Sequence, residues 1–297
     1  MKDATQLPAQ HQQGKIATLK EHQQVLHELL KEFDRVCRFL NIPYVIFSGT
    51  LLGAVRHQGF IPWDDDLDVA MLREDYDRFL READSVLDQE KFFLQKEFSE
   101  HWPMFFSKLR LNNTTCLEKM HPKDPACHQG VYMDIFPCDY ACRSALGRRV
   151  QFLSSKVVIA KSLDRRGYDT DSALKKIFIA VCRFLPGNIF YKIVRGKPGS
   201  GIVHSFFGAG STFHKNIYPE AYFRERIWGS FEGNEYPMSA NYDDLLKLLY
   251  GDYMELPPQE KRKVKQHAIL VDLTKSYEEY AHYRDEMKFD VYTRSIR

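Results

Sequence analysis

The chain has 297 residues, 44% of them apolar and 28% charged, with a formal net charge of +2. That is the makeup of a globular protein with a core of its own; it excludes a disordered chain and a broad basic surface for nucleic-acid backbones. No uninterrupted apolar run reaches the ~18–20 residues of a membrane span, and no basic leader runs into an apolar one, so neither a transmembrane segment nor a secretory signal is read.

In chain order, residues 1–14, rich in Gln and His, read as a flexible leader. Residues 15–40 carry Leu19, Leu26, Phe33 and Leu40 every seventh position, with Leu30 and Cys37 widening the stripe, which predicts an amphipathic helix ended by Pro43. "YVIFS" (44–48) predicts a short strand, "GTLLGAVRH" a turn and short helix, "DLDVAM" (66–71) a second strand and 73–87 a helix. Further strands are expected at 91–97, 104–111 and 131–136, the last stopped by Pro137, which cannot donate to a ladder. Beyond about 143 the pattern turns helical (145–163 and 172–185). A Gly-rich aromatic segment (196–214), a hairpin near 232–236 and a helix over 241–250 follow. The expected fold is α+β: a mixed-sheet core over 15–140, flanked by helices, with a largely helical part over 141–297 packed across the site.

The six cysteines, at 37, 116, 127, 138, 142 and 182, follow no framework spacing and read as reduced thiols of a cytoplasmic protein. Cys127, Cys138 and Cys142 near His121 and His128 lack the tight CxxC knuckle of a zinc site.

The chemistry concentrates in "SGTLLGAVRHQGFIPWDDDLDVAM" (48–71). Strand alternation puts Asp66 and Asp68 on one side, with Asp64 joining them if the strand starts early and Asp65 pointing away. Two carboxylates at i, i+2 are a seat for a hard divalent cation that takes few protein oxygens, Mg²⁺ above all. Calcium in an EF-hand loop is excluded because Val69 stands where that loop turns on glycine. In "VYMDIF" Asp134 lies opposite Val131, Met133 and Ile135, and an acid in an apolar strand calls for a partner or a metal. The turn at Ser48, Gly49 and Thr50, where a strand passes into a helix, exposes backbone N–H groups suited to phosphate. Arg56 reads either as a phosphate clamp or as a surface ion pair with a neighbouring Asp, and His57 as an acid/base or a packing residue. Lys108 and Arg110 share one strand face, as added charge near phosphates or as a solvated sheet edge. Trp63 reads as a stacking partner or plain packing.

A Gly-Thr turn, a D-x-D pair and a third acid on a later strand resemble the nucleotidyltransferase superfold. The long block 48–79, "VYMDIFPCD" (131–139) and "YGDYMELPP" (250–258) followed by His267 sharpen this: the chain resembles the LicD family of phosphocholine transferases, whose distant relatives include fukutin and fukutin-related protein. The resemblance spans roughly residues 25–270. It implies Mg²⁺ (with Mn²⁺ as a substitute), a CDP-choline or related CDP-alcohol donor, and a sugar hydroxyl on a glycan or lipid-linked glycan precursor as acceptor, of lipopolysaccharide or teichoic acid type. It also implies CMP as product and contact with the inner leaflet from the cytoplasmic side. Asp66, Asp68 and Asp134 would hold the metal, with Asp134 alternatively taking the acceptor proton. Ser48, Gly49, Thr50, Arg56 and Lys108 would bind donor phosphates, and Tyr250 and Asp252 would close the donor pocket. A nucleotidyltransferase using a triphosphate, or a non-catalytic binding descendant, stays open on the residues alone.

Overall fold

A computed structural model describes residues 17–118, 122–206, 211–262 and 267–283; the expected leader lies outside them. The first helix, α1 (Leu19–Leu40), starts on a capping box between Thr18 and Glu21 and ends at Asn41 in the left-handed conformation. Its stripe of Leu26, Leu30, Phe33 and Cys37 is buried in the main core. Then come β1 (Val45–Ile46), α2 (Ser48–His57), β2 (Asp68–Leu72) and α3 (Arg73–Glu82). They lead to β3 (Phe92–Gln95), β4 (Ser107–Leu111), β5 (Thr115–Glu118) and β6 (Tyr132–Tyr140). The second half holds α4 (Ala145–Arg166), α5 (Ala173–Arg183), α6 (Gly187–Arg195), β7 (Ile202–His204) and β8 (Ile217–Pro219). It continues with α7 (Ala221–Arg224), β9 (Arg226–Phe231), β10 (Asn234–Ser239), α8 (Tyr242–Tyr250) and β11 (Ala268–Asp272).

The main sheet runs β1-β2-β6-β4-β3, with β7 and β8 added alongside the far end of β6. Its β2·β6 pair is parallel and the others are antiparallel, a mixed sheet as expected for α+β. Val69, Met133, Ile135 and Leu109 are buried in the main core together with Leu29, Phe33 and Val36 of α1.

Three expectations change. The strand read over 131–136 runs on through Pro137 to Tyr140. On that edge β4 reaches only Ile135 and β7 begins at Asp139, so a missing N–H at 137 costs no ladder bond there. The strand read over 66–71 begins at Asp68, leaving Asp66 in the approach loop. The part beyond 141 is not largely helical: β7 and β8 join the main sheet, β9 and β10 form the expected hairpin, and β11 pairs with β5. That hairpin turns on Glu232 and Gly233, both at positive φ, as a two-residue turn matching strand twist requires.

A buried ion pair holds the sheet to α3. Arg73 donates through Nε and a terminal nitrogen to both oxygens of Asp139, at 2.7 and 3.2 Å, and also to Glu97 at 2.8 Å. Arg73 and Asp139 are 3% and 0% exposed, so each charge depends on the other for its place in the core.

Candidate active site

The register of the sheet builds the site. Asp68 of β2 lies opposite Asp134 of β6, and Asp134 lies opposite Lys108 of β4. Paired residues on adjacent strands point to one face, so Asp68, Asp134 and Lys108 form a row across three strands, one strand spacing apart. Asp134 points away from Val131, Met133 and Ile135, all buried on the other face, as alternation predicts. The Lys108 ammonium is 3.2 Å from Asp134 Oδ1 and 3.3 Å from Glu118 Oε1. Among the described residues the buried Asp134 Oδ1 has this ion pair and no well-aligned hydrogen bond beside it.

Asp64 and Asp66 close in from the loop before β2. A side chain on Gly49 would begin 2.9 Å from Asp64 Oδ2 and 3.9 Å from Asp66 Oδ1, so the first turn of α2 is pressed against these carboxylates and glycine alone leaves them room. Gln23 of α1 holds the loop by donating to the carbonyls of Asp64 (2.9 Å) and Ile61 (3.3 Å). Burial, joined by the charges of Asp66 and Asp65, pushes the Asp64 carboxyl up to about 8. Burial and then the charges of Asp66, Asp134 and Asp64 push Asp68 well above the carboxylate range. Burial also raises Asp134, against the opposing pull of Lys108. These acids repel one another, and a cation among them would relieve it.

Asp65 points away, as expected, but into a structural role. It is 4% exposed and accepts from the backbone N–H of His267 at 2.9 Å and from its Nδ1 at 2.8 Å. The bond to Asp65 lifts the His267 imidazole to about 9, so it is a cation at neutral pH, with Nδ1 3.6 Å from Asp66 Oδ2. Residue 267 is 202 positions from its partner. Only the family block marked it in the sequence; no local spacing could.

Ser48 begins α2 at φ 50°, a left-handed conformation uncommon for serine, and its hydroxyl meets the Tyr250 hydroxyl at 3.1 Å. Burial of its hydroxyl, partly offset by the Ser48 bond, and the charges of Asp68, Asp64 and Asp66 raise the Tyr250 phenol to about 12, while the residue as a whole is 43% exposed. Thr50 Oγ1 accepts from the backbone N–H of Asp68 at 2.8 Å, which ties the helix turn to the strand carrying the acid.

The remaining residues divide. Lys108 sits on an inner strand, 1% exposed, and is neutralised by Asp134 and Glu118 rather than presented to solvent. Arg110 beside it is 0% exposed and donates to Gln95 and to the Gly130 carbonyl. The solvated-edge reading of both fails because β4 is flanked by β3 and β6. Glu118 also binds Arg166, from the last turn of α4, and accepts from Tyr132 at 3.1 Å. This buried network behind Asp134 escaped the sequence, because its members lie on four separate elements. Arg56 donates to the Tyr253 carbonyl at 2.8 Å and to His57 at 3.0 Å, so it fastens the segment after α8 instead of pairing with an Asp. Asp252 is exposed on that segment, and the structure records no bond from it to the acid row among the described residues. Trp63 packs edge-on against His57, 6.3 Å between centroids. Cys127 and Cys138 are buried and Cys142 is exposed; His121 lies outside the described residues. Among the described residues no cluster of His, Cys, Asp and Glu forms a ready metal cage.

Residues 41–137 match the family profile described as "LicD/FKTN/FKRP, nucleotidyltransferase domain". The lipopolysaccharide cholinephosphotransferase LicD of Haemophilus influenzae is 28% identical over 263 residues, covering 83% of this chain and 95% of that protein. Residues 41–137 thus carry the LicD-family domain, and the likeness to LicD extends over most of the chain. Two uncharacterized proteins, from Rickettsia prowazekii and Rickettsia typhi, are 56% identical to it over 50 residues, 17% of this chain and 19% and 16% of theirs. The matched segment contains α2, the acidic loop and the whole Asp68–Asp134–Lys108 row. Tyr250 and His267 lie beyond it and are brought to the same place by α8 and the approach to β11.

Proposed function

We propose that this LicD-family chain is a phosphotransferase of nucleotidyltransferase-like architecture. In this reading it moves phosphocholine from CDP-choline to a sugar hydroxyl of a lipopolysaccharide-type glycan, at the cytoplasmic face of the membrane. The acceptor oxygen forms a bond to the choline-bearing phosphorus, the bond from that phosphorus to CMP breaks, and the hydroxyl proton leaves to a base. The observation that carries the reading is the row of Asp68 and Asp134, in register on parallel strands and crowded by Asp64 and Asp66.

That cluster fits a divalent ion by three features: mutual repulsion among the acids, a buried Asp134 oxygen held by one ion pair alone, and hard oxygen ligands only. The lack of a complete protein cage suits Mg²⁺, which keeps water and substrate oxygens in its shell, and Mn²⁺ would take the same place. Asp66, Asp68 and Asp134 would hold it, supplying charge neutralisation at the diphosphate. The chain's own residues do the rest. The N–H groups of Gly49 and Thr50 open the helix toward the acids and bind a donor phosphate. The His267 cation stands on the other flank of Asp66 and favours the anionic donor. Tyr250, held by Ser48, closes the donor side. Lys108 fixes the Asp134 carboxylate, and Glu118 fixes Lys108.

The test is a donor screen of the purified chain with CDP-choline, CDP-ethanolamine, CDP-glycerol, CDP-ribitol and each nucleoside triphosphate, with a lipopolysaccharide oligosaccharide as acceptor. Mg²⁺-dependent CMP release from CDP-choline is expected, and Asp68→Asn or Asp134→Asn should lower it by about 10³-fold or more while the chain stays folded. Pyrophosphate release from a triphosphate would overturn the reading in favour of nucleotidyl transfer.

A further inference from the structure

Charge in this chain is unevenly placed. Residues 141–200 hold 13 Lys and Arg against three acids, a formal +10, so with +2 overall the other residues sum to −8. Two of the three acids are already paired there, Asp164 with Arg183 and Asp169 with Lys176.

The same segment carries large apolar side chains in water. Helix α5 exposes Leu174 (81%), Ile177, Phe178 and Val181, at i, i+3, i+4 and i+7, and Phe184 just after it is 86% exposed. Of its eleven residues only Cys182 is buried. A helix this short is marginal in water by itself, so its stability calls for something that covers the apolar face. On α4, Leu146, Val150 and Leu153 make a second exposed stripe, and Ile189 of α6 is exposed as well. A cleft of about 510 Å³ lined by Arg143, Lys192 and Lys197, among others, opens at the foot of α4 and α6.

Among the described residues no single helix is long and apolar enough to cross a membrane, and α5 and α6 meet at 98°, so their apolar runs do not add into one straight span. Short amphipathic helices with apolar faces and basic flanks lie in the plane of a lipid surface, where lysines and arginines reach up to the headgroups. A second copy of the chain fits this face poorly, because a two-fold contact would set one basic surface against another even with Arg166 and Arg195 paired to Glu118 and Asp77.

We propose that α4, α5 and α6 form a docking face for an anionic phospholipid bilayer. Leu174, Ile177, Phe178, Val181 and Phe184 enter the acyl boundary, and the basic residues of 141–200 engage the lipid phosphates. The inference deepens the membrane-face part of the transfer reading by naming the surface that makes the contact, and vesicle binding tests it apart from any transfer activity.

The experiment is co-sedimentation of the full chain with vesicles of phosphatidylcholine alone and of phosphatidylcholine mixed with phosphatidylglycerol, alongside equilibrium sedimentation without lipid. The chain should pellet with the anionic vesicles, much less with the neutral ones, and less as salt rises. Phe178→Ser with Phe184→Ser, and separately Lys175→Glu with Lys176→Glu, should each lower partitioning about tenfold or more. All four positions are exposed, so circular dichroism should show folded protein. Wild-type chain left in the supernatant with anionic vesicles would overturn the proposal. So would vesicle binding that neither pair of substitutions weakens, or a dimer dissolved by the phenylalanine pair in a chain that ignores lipid.

Discussion

At the scale of single residues the site shows two uses of one amino acid. Four aspartates in five positions look equivalent as letters, yet Asp65 is spent on holding His267 while Asp64, Asp66 and Asp68 gather with Asp134. Asp65 therefore matters more than its outward pointing suggested. Its two oxygens satisfy a backbone N–H and an imidazolium, so Asp65→Asn releases the segment leading into β11 and lowers activity through His267. For His267 itself the expectation is specific. Removing a cation that faces Asp66, with the fold kept, should raise the KM for the nucleotide donor by about 10- to 100-fold for His267→Gln, and His267→Arg should restore part of it. Steady-state kinetics with varied donor checks this; an unchanged KM with a fallen kcat would point to proton transfer instead. Alternation and spacing were enough to find Asp66, Asp68 and Asp134, because period-two geometry is local. The Asp65–His267 bond and the Lys108–Glu118–Arg166 network were not legible, because they depend on which distant segments the chain brings together.

At the scale of elements the hydrophobic periods of α1, α3 and α8, and the β9–β10 turn, were readable to within a few residues. The stretches that misled were those where tertiary pairing outweighed local preference, such as Pro137 inside β6 and the three-residue strands β7, within the Gly-rich segment, and β8, just after it. Asp139 illustrates the point: the sequence sets it five residues after Asp134 in one family block, but it belongs to the scaffold through Arg73. Asp139→Ala leaves a buried guanidinium with only Glu97 and Asp77 and should destabilise the chain by about 3–5 kcal/mol, read as a lowered urea midpoint. His204 on β7 is a second such joint. Its Nε2–H donates to the Val194 carbonyl of α6 at 3.0 Å, Nδ1 accepts from the Phe206 N–H, and burial lowers it to about 4. Between pH 4 and 6.5 the unfolded chain takes up a proton that the folded one refuses, so this stabilisation is present at neutral pH and lost as pH falls through that window. The stability gap between wild type and His204→Gln should shrink by on the order of 3 kcal/mol from pH 7 to pH 4. Denaturant titrations at several pH values measure it, and a gap constant with pH would show that the imidazole is not held neutral.

At the scale of the whole molecule, the site has no existence apart from the complete fold. Its parts come from the start of α2, the loop into β2, the middle of β4 and β6, the end of α8 and the approach to β11, positions 48 to 267. An unfolded chain scatters these carboxylates and has no affinity for a divalent ion at such a site, so binding of the proposed metal would be linked to global stability. Folding also has to bring Asp64, Asp68 and Asp134 together at the cost of their mutual repulsion, the pattern of a scaffold that gives up stability for function. Two opposite effects follow from that single arrangement. Mg²⁺ at about 100 times its dissociation constant should stabilise the folded chain by about 2.7 kcal/mol and raise Tm by several degrees. Asp68→Asn should melt at the same temperature as metal-free wild type or higher, since it removes one of the repelling charges, and should gain little from Mg²⁺. Differential scanning calorimetry with Mg²⁺ and with a chelator, on both proteins, sets the two effects against each other. A wild-type Tm indifferent to Mg²⁺ would mean that the acids meet for some purpose other than holding a metal.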